Sequence, residues 1–356
     1  MTSIAKPPVK HPSSRTNGLG LTLRDYEGAM STLCAGCGHD SVTAALVMAA
    51  WELDLEPHRA AKMSGIGCSS KTTAYFMKQS HGFNSVHGRM PSVTSGAAAA
   101  NRSLTYIGIS GDGDSLSIGL GQLSHAIRRN VNMLYVLENN GVYGLTKGQF
   151  SASADIGSTS KKGEANEQAP IDPVLLALTL GATFVARSFS GDKRQLIPIL
   201  KAGIAHRGFA LVDVISPCVS FNDHEGSTKS YAFTREHEVE AVQADFLPAD
   251  FVPLEREITV PETDEEVRVV QLHDGGKVRL RATAPDYDPT SRESAYAHVR
   301  ACQGRNEIAT GLLFVDDSGR EMHDMMRTVE TPLVDVPFEQ LCPGSAALER
   351  LMERYR

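Results

Sequence analysis

The 356-residue chain reads as an α/β protein built on a doubly wound parallel sheet with a C-terminal extension, and three observations carry that reading. Short apolar, partly β-branched runs alternate with helical patterns between residues 60 and 215, the order that makes a parallel sheet covered on both faces. Two consecutive runs, 104–110 and 131–137, each lead into a polar turn: Gly111-Asp112-Gly113-Asp114 after the first and Asn139-Asn140-Gly141 after the second. Successive parallel strands deliver such turns to one edge of the sheet, where open α/β folds bind ligands.

Residues 1–20, rich in Pro, Ser, Lys and Gly, read as a flexible N-terminal arm. Cys34-Ala-Gly-Cys37-Gly-His39 directly precedes a helical pattern formed by Val42, Leu46, Ala49, Ala50 and Leu53. A short strand over 60–67 ends in glycines, and Cys68-Ser-Ser-Lys71 opens the next helix. His87-Gly88-Arg89 lies in a polar loop, and a small-residue helix around 95–101 leads to the 104–110 strand. Residues 115–129 carry Leu116, Leu120, Leu123 and Ile127 down one helical face. Residues 149–170 read as a long surface loop or lid. A helix from Pro173, a strand over 183–187, a helix over 193–206 and a strand over 209–215 follow, the last ending at Pro217-Cys218. Beyond residue 222 the pattern changes: 265–282 alternates about Asp274-Gly-Gly276 as a β-hairpin does, and the tail from Gly344 is an amphipathic helix with Leu348, Leu351 and Met352 on one face. The expected division is an arm at 1–20, a binding domain at 21–235 and an extension at 236–356 that packs on the core and on a partner.

Composition narrows the function. With 35 basic and 42 acidic residues, net −7, there is no basic face of the kind nucleic acid requires. No apolar stretch of membrane-spanning length occurs, and no apolar segment follows Lys6 and Lys10 as in a secretion signal. Six cysteines without such a signal point to a reducing compartment and thiolate chemistry. The expected setting is the cytoplasm.

The glycines at 111 and 113 let the backbone approach a phosphate, and the helix N-terminus favours its charge. Asp112 and Asn140 add a carboxylate and an amide oxygen, a donor set suited to Mg²⁺ shared with ligand phosphates. A Gly-Asp-Gly turn by itself is most often only a turn; its pairing with Asn139-Asn140 makes it a thiamine diphosphate-like motif. Cys34, Cys37, Cys68 and Cys218 lie in loops at element ends that could converge. Four thiolates suit a [4Fe–4S] cluster or a structural Zn²⁺, while a redox Cys-x-x-Cys pair with unrelated buried cysteines is the plainer alternative. Gly65-Ile-Gly-Cys68-Ser-Ser70 is glycine-rich like a cofactor loop, so a thiolate site and a cofactor site would share its backbone. Cys302 and Cys342 lie outside the motifs and are expected to be free, buried thiols.

Five segments together are specific. Residues 34–39 (CAGCGH), 65–70 (GIGCSS), 87–89 (HGR), 111–119 (GDGDSLSIG) and 139–149 (NNGVYGLTKGQ) resemble, in order, the beta subunit of 2-oxoacid:ferredoxin oxidoreductases, and within it the 2-oxoglutarate type (2-oxoglutarate synthase). The resemblance covers about residues 25–235 and implies a thiamine diphosphate-binding, pyrophosphate-type domain. It implies a [4Fe–4S] cluster on Cys34, Cys37, Cys68 and Cys218, and Mg²⁺ on Asp112, Asn140 and the Val142 carbonyl. It places thiamine diphosphate against Ile66, Gly67, Cys68, Ser69, His87, Gly113, Asp114, Gly144, Leu145 and Thr146. The implied reaction is oxidative decarboxylation of 2-oxoglutarate with coenzyme A to succinyl-CoA, CO₂ and reduced ferredoxin. Pyruvate or a broad range of 2-oxoacids is the alternative substrate, and a non-redox thiamine enzyme or a non-catalytic iron–sulfur electron-transfer subunit the alternative class. No ferredoxin-like cysteine run occurs, so later electron carriers are expected to be external. Lys71 and Lys147 flank the cofactor loops and are expected to meet substrate carboxylates, the plainer reading of each being a solvated surface lysine. No Glu occupies a cofactor-facing motif between 60 and 150; Glu138 is nearest, but directly precedes the Asn pair. In thiamine enzymes removal of the C2 proton usually relies on a glutamate facing the aminopyrimidine ring, and the family resembled carries that glutamate on a separate alpha subunit. The chain is therefore expected to be half of an active site, with its cluster-bearing face and the 149–170 loop against an alpha chain in a heterotetramer.

Overall fold

The computed structural model describes residues 6, 11–159, 163–248, 267–272, 275–282, 287–342 and 344–356. Helix α1 (Gly38–Glu52) precedes strand β1 (Ala60–Ser64), β2 (His81–Asn84), helix α2 (Met90–Ala100) and β3 (Thr105–Gly111). Helix α3 (Leu120–Arg128) crosses to β4 (Met133–Asn139), and the short strands β5 (Val142–Tyr143) and β6 (Gln149–Phe150) pair as a hairpin. Then come α4 (Pro173–Leu180), β7 (Phe184–Phe189), α5 (Lys193–Ala205) and β8 (Phe209–Ile215). The rest comprises α6 (Tyr231–His237), β9 (Glu238–Leu247), β10 (Val267–Gln271), β11 (Lys277–Ala282), α7 (Arg292–Gly304), β12 (Ile308–Val315), α8 (Met322–Met326), α9 (Phe338–Leu341) and α10 (Ser345–Glu353).

Ten strands form one sheet in the order β10-β11-β9-β12-β7-β8-β4-β3-β1-β2. From β7 to β2 every neighbouring pair is parallel. Strands β4, β7 and β8 are buried along their whole length, which is why they read as continuous apolar runs rather than alternating ones. From β1 the chain moves outward to β2, and from β3 it moves the opposite way to β4, so the switch point falls between β1 and β3, where the 65–70 and 111–114 loops emerge. Beside it, Ser216 N–H after β8 bonds the Asn139 carbonyl at the end of β4 at 2.8 Å.

Several expectations need correction. The helix expected over 115–129 is broken at Gly119: residues 113–118 form a wide turn closed by Gly119 N–H on the Asp114 carbonyl (2.8 Å), and only then does α3 begin. Such five-residue turns recur at functional sites. The helix expected from Cys68 is a tight 3₁₀ turn over Ser69–Ala74. Lys62 on β1 anchors its exit by donating to the Phe76 and Met77 carbonyls at 2.6 and 3.0 Å. Within the second half of the expected arm, which is otherwise exposed, Asn17 is half-buried and donates to the Tyr26 hydroxyl and the Trp51 carbonyl. The extension meets the core by joining its sheet: β12 inserts antiparallel against β7, with β9, β11 and β10 continuing the same sheet. The hairpin over 265–282 is present as β10 and β11, although Asp274 lies outside the described residues. Helix α10 forms as expected, with Leu348, Leu351 and Met352 exposed. Cys302 is buried, but Cys342 is exposed, contrary to expectation. Among the described residues no helix is long and apolar enough to cross a membrane.

Candidate active site

The loops leaving β1, β3 and β4 wall a cleft of about 510 Å³ at the carboxyl edge of the sheet. It is lined by Ile66, Gly67, Cys68, Ser69, His87, Asp112, Gly113, Asp114, Asn140, Val142, Gly144, Leu145 and Thr146. Every residue expected to contact thiamine diphosphate or Mg²⁺ is thus brought to one place. His39, Ile118 and Tyr143 line it as well.

Asp112 is buried at its inner end. Its Oδ2 accepts from Gly141 N–H at 3.0 Å, from the Ser153 hydroxyl at 2.6 Å and from the Ser151 hydroxyl. Among the described residues its Oδ1 meets only Asn140 N–H, at 3.4 Å. Burial raises the Asp112 pKa, and the two serine hydroxyls pull it back down by bonding to the ionised form. One oxygen is therefore saturated and the other is spare, the disposition a one-oxygen metal ligand needs. The Asn140 side-chain oxygen accepts from Val142 N–H at 3.1 Å, which folds the Asn140–Val142 turn toward the same point. These donors fit Mg²⁺, a hard cation that keeps few protein ligands and shares phosphate oxygens.

Asp114 does different work. Its Oδ1 accepts from Gly88 N–H and its Oδ2 from the Ser110 hydroxyl, both at 2.8 Å. It ties the His87 loop to β3, and so tightly that a Cβ on Gly65 would lie 1.8 Å from Oδ2. Only glycine fits at 65. The Tyr143 hydroxyl donates to the Gly113 carbonyl at 3.0 Å and locks the hairpin over the turn.

The cysteines converge beneath the cleft. A Cβ on Gly144 would lie 3.6 Å from the sulfurs of both Cys68 and Cys218. Gly38 N–H bonds the Pro217 carbonyl at 3.2 Å, which brings the Cys34–Cys37 loop beside Cys218. Ser220 Oγ reaches the Cys34 sulfur at 3.5 Å. Burial pushes Cys37 up to about 12 and also raises Cys68 and Cys218, with Cys218 adding to the rise at Cys37 and Cys68. Such thiols ionise when a cationic centre replaces their protons. Among the described residues no three of His, Cys, Asp or Glu are grouped to hold a metal ion. A single tetrahedral zinc, with bonds of about 2.3 Å, draws its sulfurs to within roughly 4 Å of one another. A four-iron cluster takes one thiolate at each iron and holds them further apart, and thiols of this kind suit either centre.

Between the cysteines and the cleft lies a buried group that sequence reasoning missed. His39 Nδ1 hydrogen-bonds Ser216 Oγ at 2.6 Å and lies 3.5 Å from the Glu138 carboxyl, which also accepts from Thr72. Burial lowers the His39 pKa to about 4 and raises that of Glu138 well above the usual carboxylate range. Glu138 faces Thr72 and His39 inside the fold. The position of His39 directly after Cys37-Gly38 was its one sequence signal. The serines at 151 and 153 carried none, because their partner Asp112 is 39 and 41 residues away.

Neither expected lysine lines the cleft. Lys147 is exposed on the β5–β6 turn beyond Thr146, with a left-handed φ of 79°. Lys71 is half-buried near Cys68, whose pKa it lowers.

Residues 65–214 match the family described as thiamine pyrophosphate enzyme, C-terminal TPP binding domain. Fold and cleft together make this a thiamine diphosphate-binding α/β domain. The chain belongs, more narrowly, to the beta subunits of 2-oxoacid:ferredoxin oxidoreductases. It is 40% identical over 208 residues to the 2-oxoacid:ferredoxin oxidoreductase subunit beta of Saccharolobus solfataricus, covering 58% of this chain and 68% of that one. Against the 2-oxoglutarate oxidoreductase subunit KorB of Mycobacterium tuberculosis, identity is 41% over 191 residues, 53% of this chain and about half (51%) of the relative. A solved 2-oxoglutarate:ferredoxin oxidoreductase from Magnetococcus marinus, with 2-oxoglutarate, coenzyme A and succinyl-CoA bound, superposes with a TM-score of 0.70 at 28% identity. That alignment covers 88% of this chain and 92% of the solved one.

Proposed function

We propose that this beta subunit works with an alpha subunit to decarboxylate 2-oxoglutarate oxidatively, using coenzyme A and passing electrons to ferredoxin. The observation that carries the reading is the convergence of Cys68 and Cys218 on Gly144, a residue of the cleft wall itself. A cofactor site and a thiolate site that share one wall suit a reaction whose electrons must leave singly. When bound, thiamine diphosphate supplies the electron sink a 2-oxoacid needs to lose CO₂, and the cluster a one-electron outlet. Asp112, Asn140 and the Val142 carbonyl would hold Mg²⁺; Cys34, Cys37, Cys68 and Cys218 would hold the cluster.

The chain's own residues bind, orient and exclude water. Asp114 and Tyr143 brace the loops that cradle the cofactor, and Ser151 and Ser153 keep Asp112 aligned. The buried His39–Glu138 pair fills the space behind Asn140. Lys147, exposed on the β5–β6 turn next to Thr146, is the cation we assign to a distal substrate carboxylate; Lys71 acts on the Cys68 side. The substrate assignment is supported by the names of KorB relatives and of the solved neighbour. Burial of Glu138 leaves the proton-abstracting glutamate to the alpha subunit, seated over the cleft mouth.

The test is to copurify the chain with its alpha subunit and assay viologen and ferredoxin reduction with several 2-oxoacids plus coenzyme A. Preference for 2-oxoglutarate with an iron-dependent brown chromophore is expected. Colourless, non-oxidative decarboxylation would point to the non-redox class, and faster turnover of pyruvate would overturn the substrate. Full turnover by the beta chain alone would overturn the divided site.

A further inference from the structure

We propose that a second, open groove on the other side of the cysteines is the docking surface for a small acidic iron–sulfur electron carrier, an inference that rests on the function proposed above. The cysteine loops have two sides. Cys68 and Gly144 face the cofactor cleft. Gly36, between Cys34 and Cys37, and Val219, next to Cys218, face a separate, shallow and open groove. The two loops meet there, a Cβ on Gly36 lying 3.6 Å from the Val219 side chain, and Cys34 itself is exposed. Cys68 borders the cleft, while the loops that carry Cys34, Cys37 and Cys218 border the groove through Gly36 and Val219, so a carrier seated in the groove lies against the loops of three of the four cysteines.

The groove has the charge such a carrier needs. Its cations are Lys193, Arg194 and Arg235, and its one acid is Asp192. Asp192 is engaged in capping α5, accepting from Arg194 and Gln195 N–H at 3.0 and 3.2 Å. Among the described residues none of the three cations is ion-paired, although the chain as a whole carries net −7. Tyr231 donates to the Gly36 carbonyl at 3.1 Å, and the Arg235 guanidinium lies over the Tyr231 ring at 5.4 Å, which fixes that charge beside the Cys34–Cys37 loop. Exposed Val219 adds an apolar contact at the centre. Unpaired cations around a small apolar spot suit a partner that must come and go: they speed encounter with an acidic protein, whereas the cores of permanent interfaces are depleted of charge. The alpha subunit is accordingly assigned to the cleft mouth and the carrier to the groove, which divides the cluster-bearing face that the sequence reading gave wholly to alpha.

The test uses the alpha–beta complex, with a 2[4Fe–4S] ferredoxin of strongly negative net charge as the probe. Binding of the oxidised ferredoxin is measured at low and high ionic strength for wild type, Arg194→Glu and the double variant Arg194→Glu/Arg235→Glu. The expected result is a Kd at least about tenfold weaker for the double variant at low salt, the gap closing as salt rises. Arg194→Glu, whose side chain is exposed, should show a smaller shift in the same direction and guards against misfolding at Arg235. Iron content and reduction of methyl viologen, a cation with no need of a basic surface, should stay at wild-type levels. Unchanged ferredoxin affinity, or no ferredoxin binding by the wild type, would overturn the proposal. So would loss of the alpha subunit from the variants, which would make the groove a subunit interface. A wild-type complex that reduces viologen with no 2-oxoacid would count against the proposed function, whereas the binding comparison judges the groove separately.

Discussion

Replacing Ser153 with Ala should weaken Mg²⁺ binding although Ser153 touches no ligand. Its hydroxyl lies 2.6 Å from Asp112 Oδ2 and 2.9 Å from the Asn139 side-chain oxygen, and one proton serves the shorter, charged contact. Burial already works against ionised Asp112, and the Ser151 and Ser153 hydroxyls offset it. A hydrogen bond to a charged group contributes about 1.5–3 kcal/mol. The ionised carboxylate is the form that binds metal, so losing that bond raises the Mg²⁺ Kd by roughly 10- to 150-fold. Ser153→Thr keeps the hydroxyl and should bind nearly as wild type. Calorimetric titration of Mg²⁺ into the complex with saturating thiamine diphosphate measures the Kd directly, and thermal unfolding without metal shows whether the fold survives. A Ser153→Ala Kd within about twofold of wild type would refute the argument that Oδ2 must be saturated for Oδ1 to coordinate.

Cys68→Ser should lose iron and visible absorbance and also retain less thiamine diphosphate, because Cys68 lines the cleft; Cys302→Ser, within α7, should alter neither, and full iron in Cys68→Ser would disprove the ligand set. Gly144→Ala places a methyl 3.6 Å from two sulfurs, an ordinary contact, so metal-free stability should hold while iron loading falls; equal loading by iron analysis would move the cluster elsewhere. Lys147→Met should impair 2-oxoglutarate more than pyruvate, by at least about tenfold in kcat/KM as one charge-assisted hydrogen bond is lost, and equal loss on both substrates would remove it from recognition. Glu138 has a folded pKa above its ordinary 4.5. Rising pH therefore ionises the unfolded chain first and lowers wild-type stability from pH 4.5 up to that raised value. Glu138→Gln should gain stability relative to wild type across that window and show no such gain below it, as read from urea midpoints; a pH-independent difference would mean the buried group is ionised.

The strands that build the site were legible in the sequence because they are buried on both faces and the polar turns follow them directly. Gly111–Asp114 and Asn139–Asn140 are local signals: spacing along the chain set their chemistry, and parallel pairing of β3 with β4 placed them side by side. The C-terminal strands were harder to read. Strand β9 mixes buried and exposed positions, and whether it begins an appendage or extends the sheet depends on β12 finding the edge of β7 more than a hundred residues earlier, a pairing that no local pattern encodes. The division between cleft and groove is of the same kind. The sequence determined that four cysteines, a carboxylate and an amide stand at element ends. Only the tertiary structure decided that Cys68 opens onto the cleft while Gly36 and Val219 open onto a basic groove, that Lys147 stands exposed outside the residues lining the cleft, and that two serines from a loop saturate one oxygen of Asp112. Orientation, burial and the pairing of distant charges are set by the packed whole, because each depends on which side of a crossing point a backbone turns.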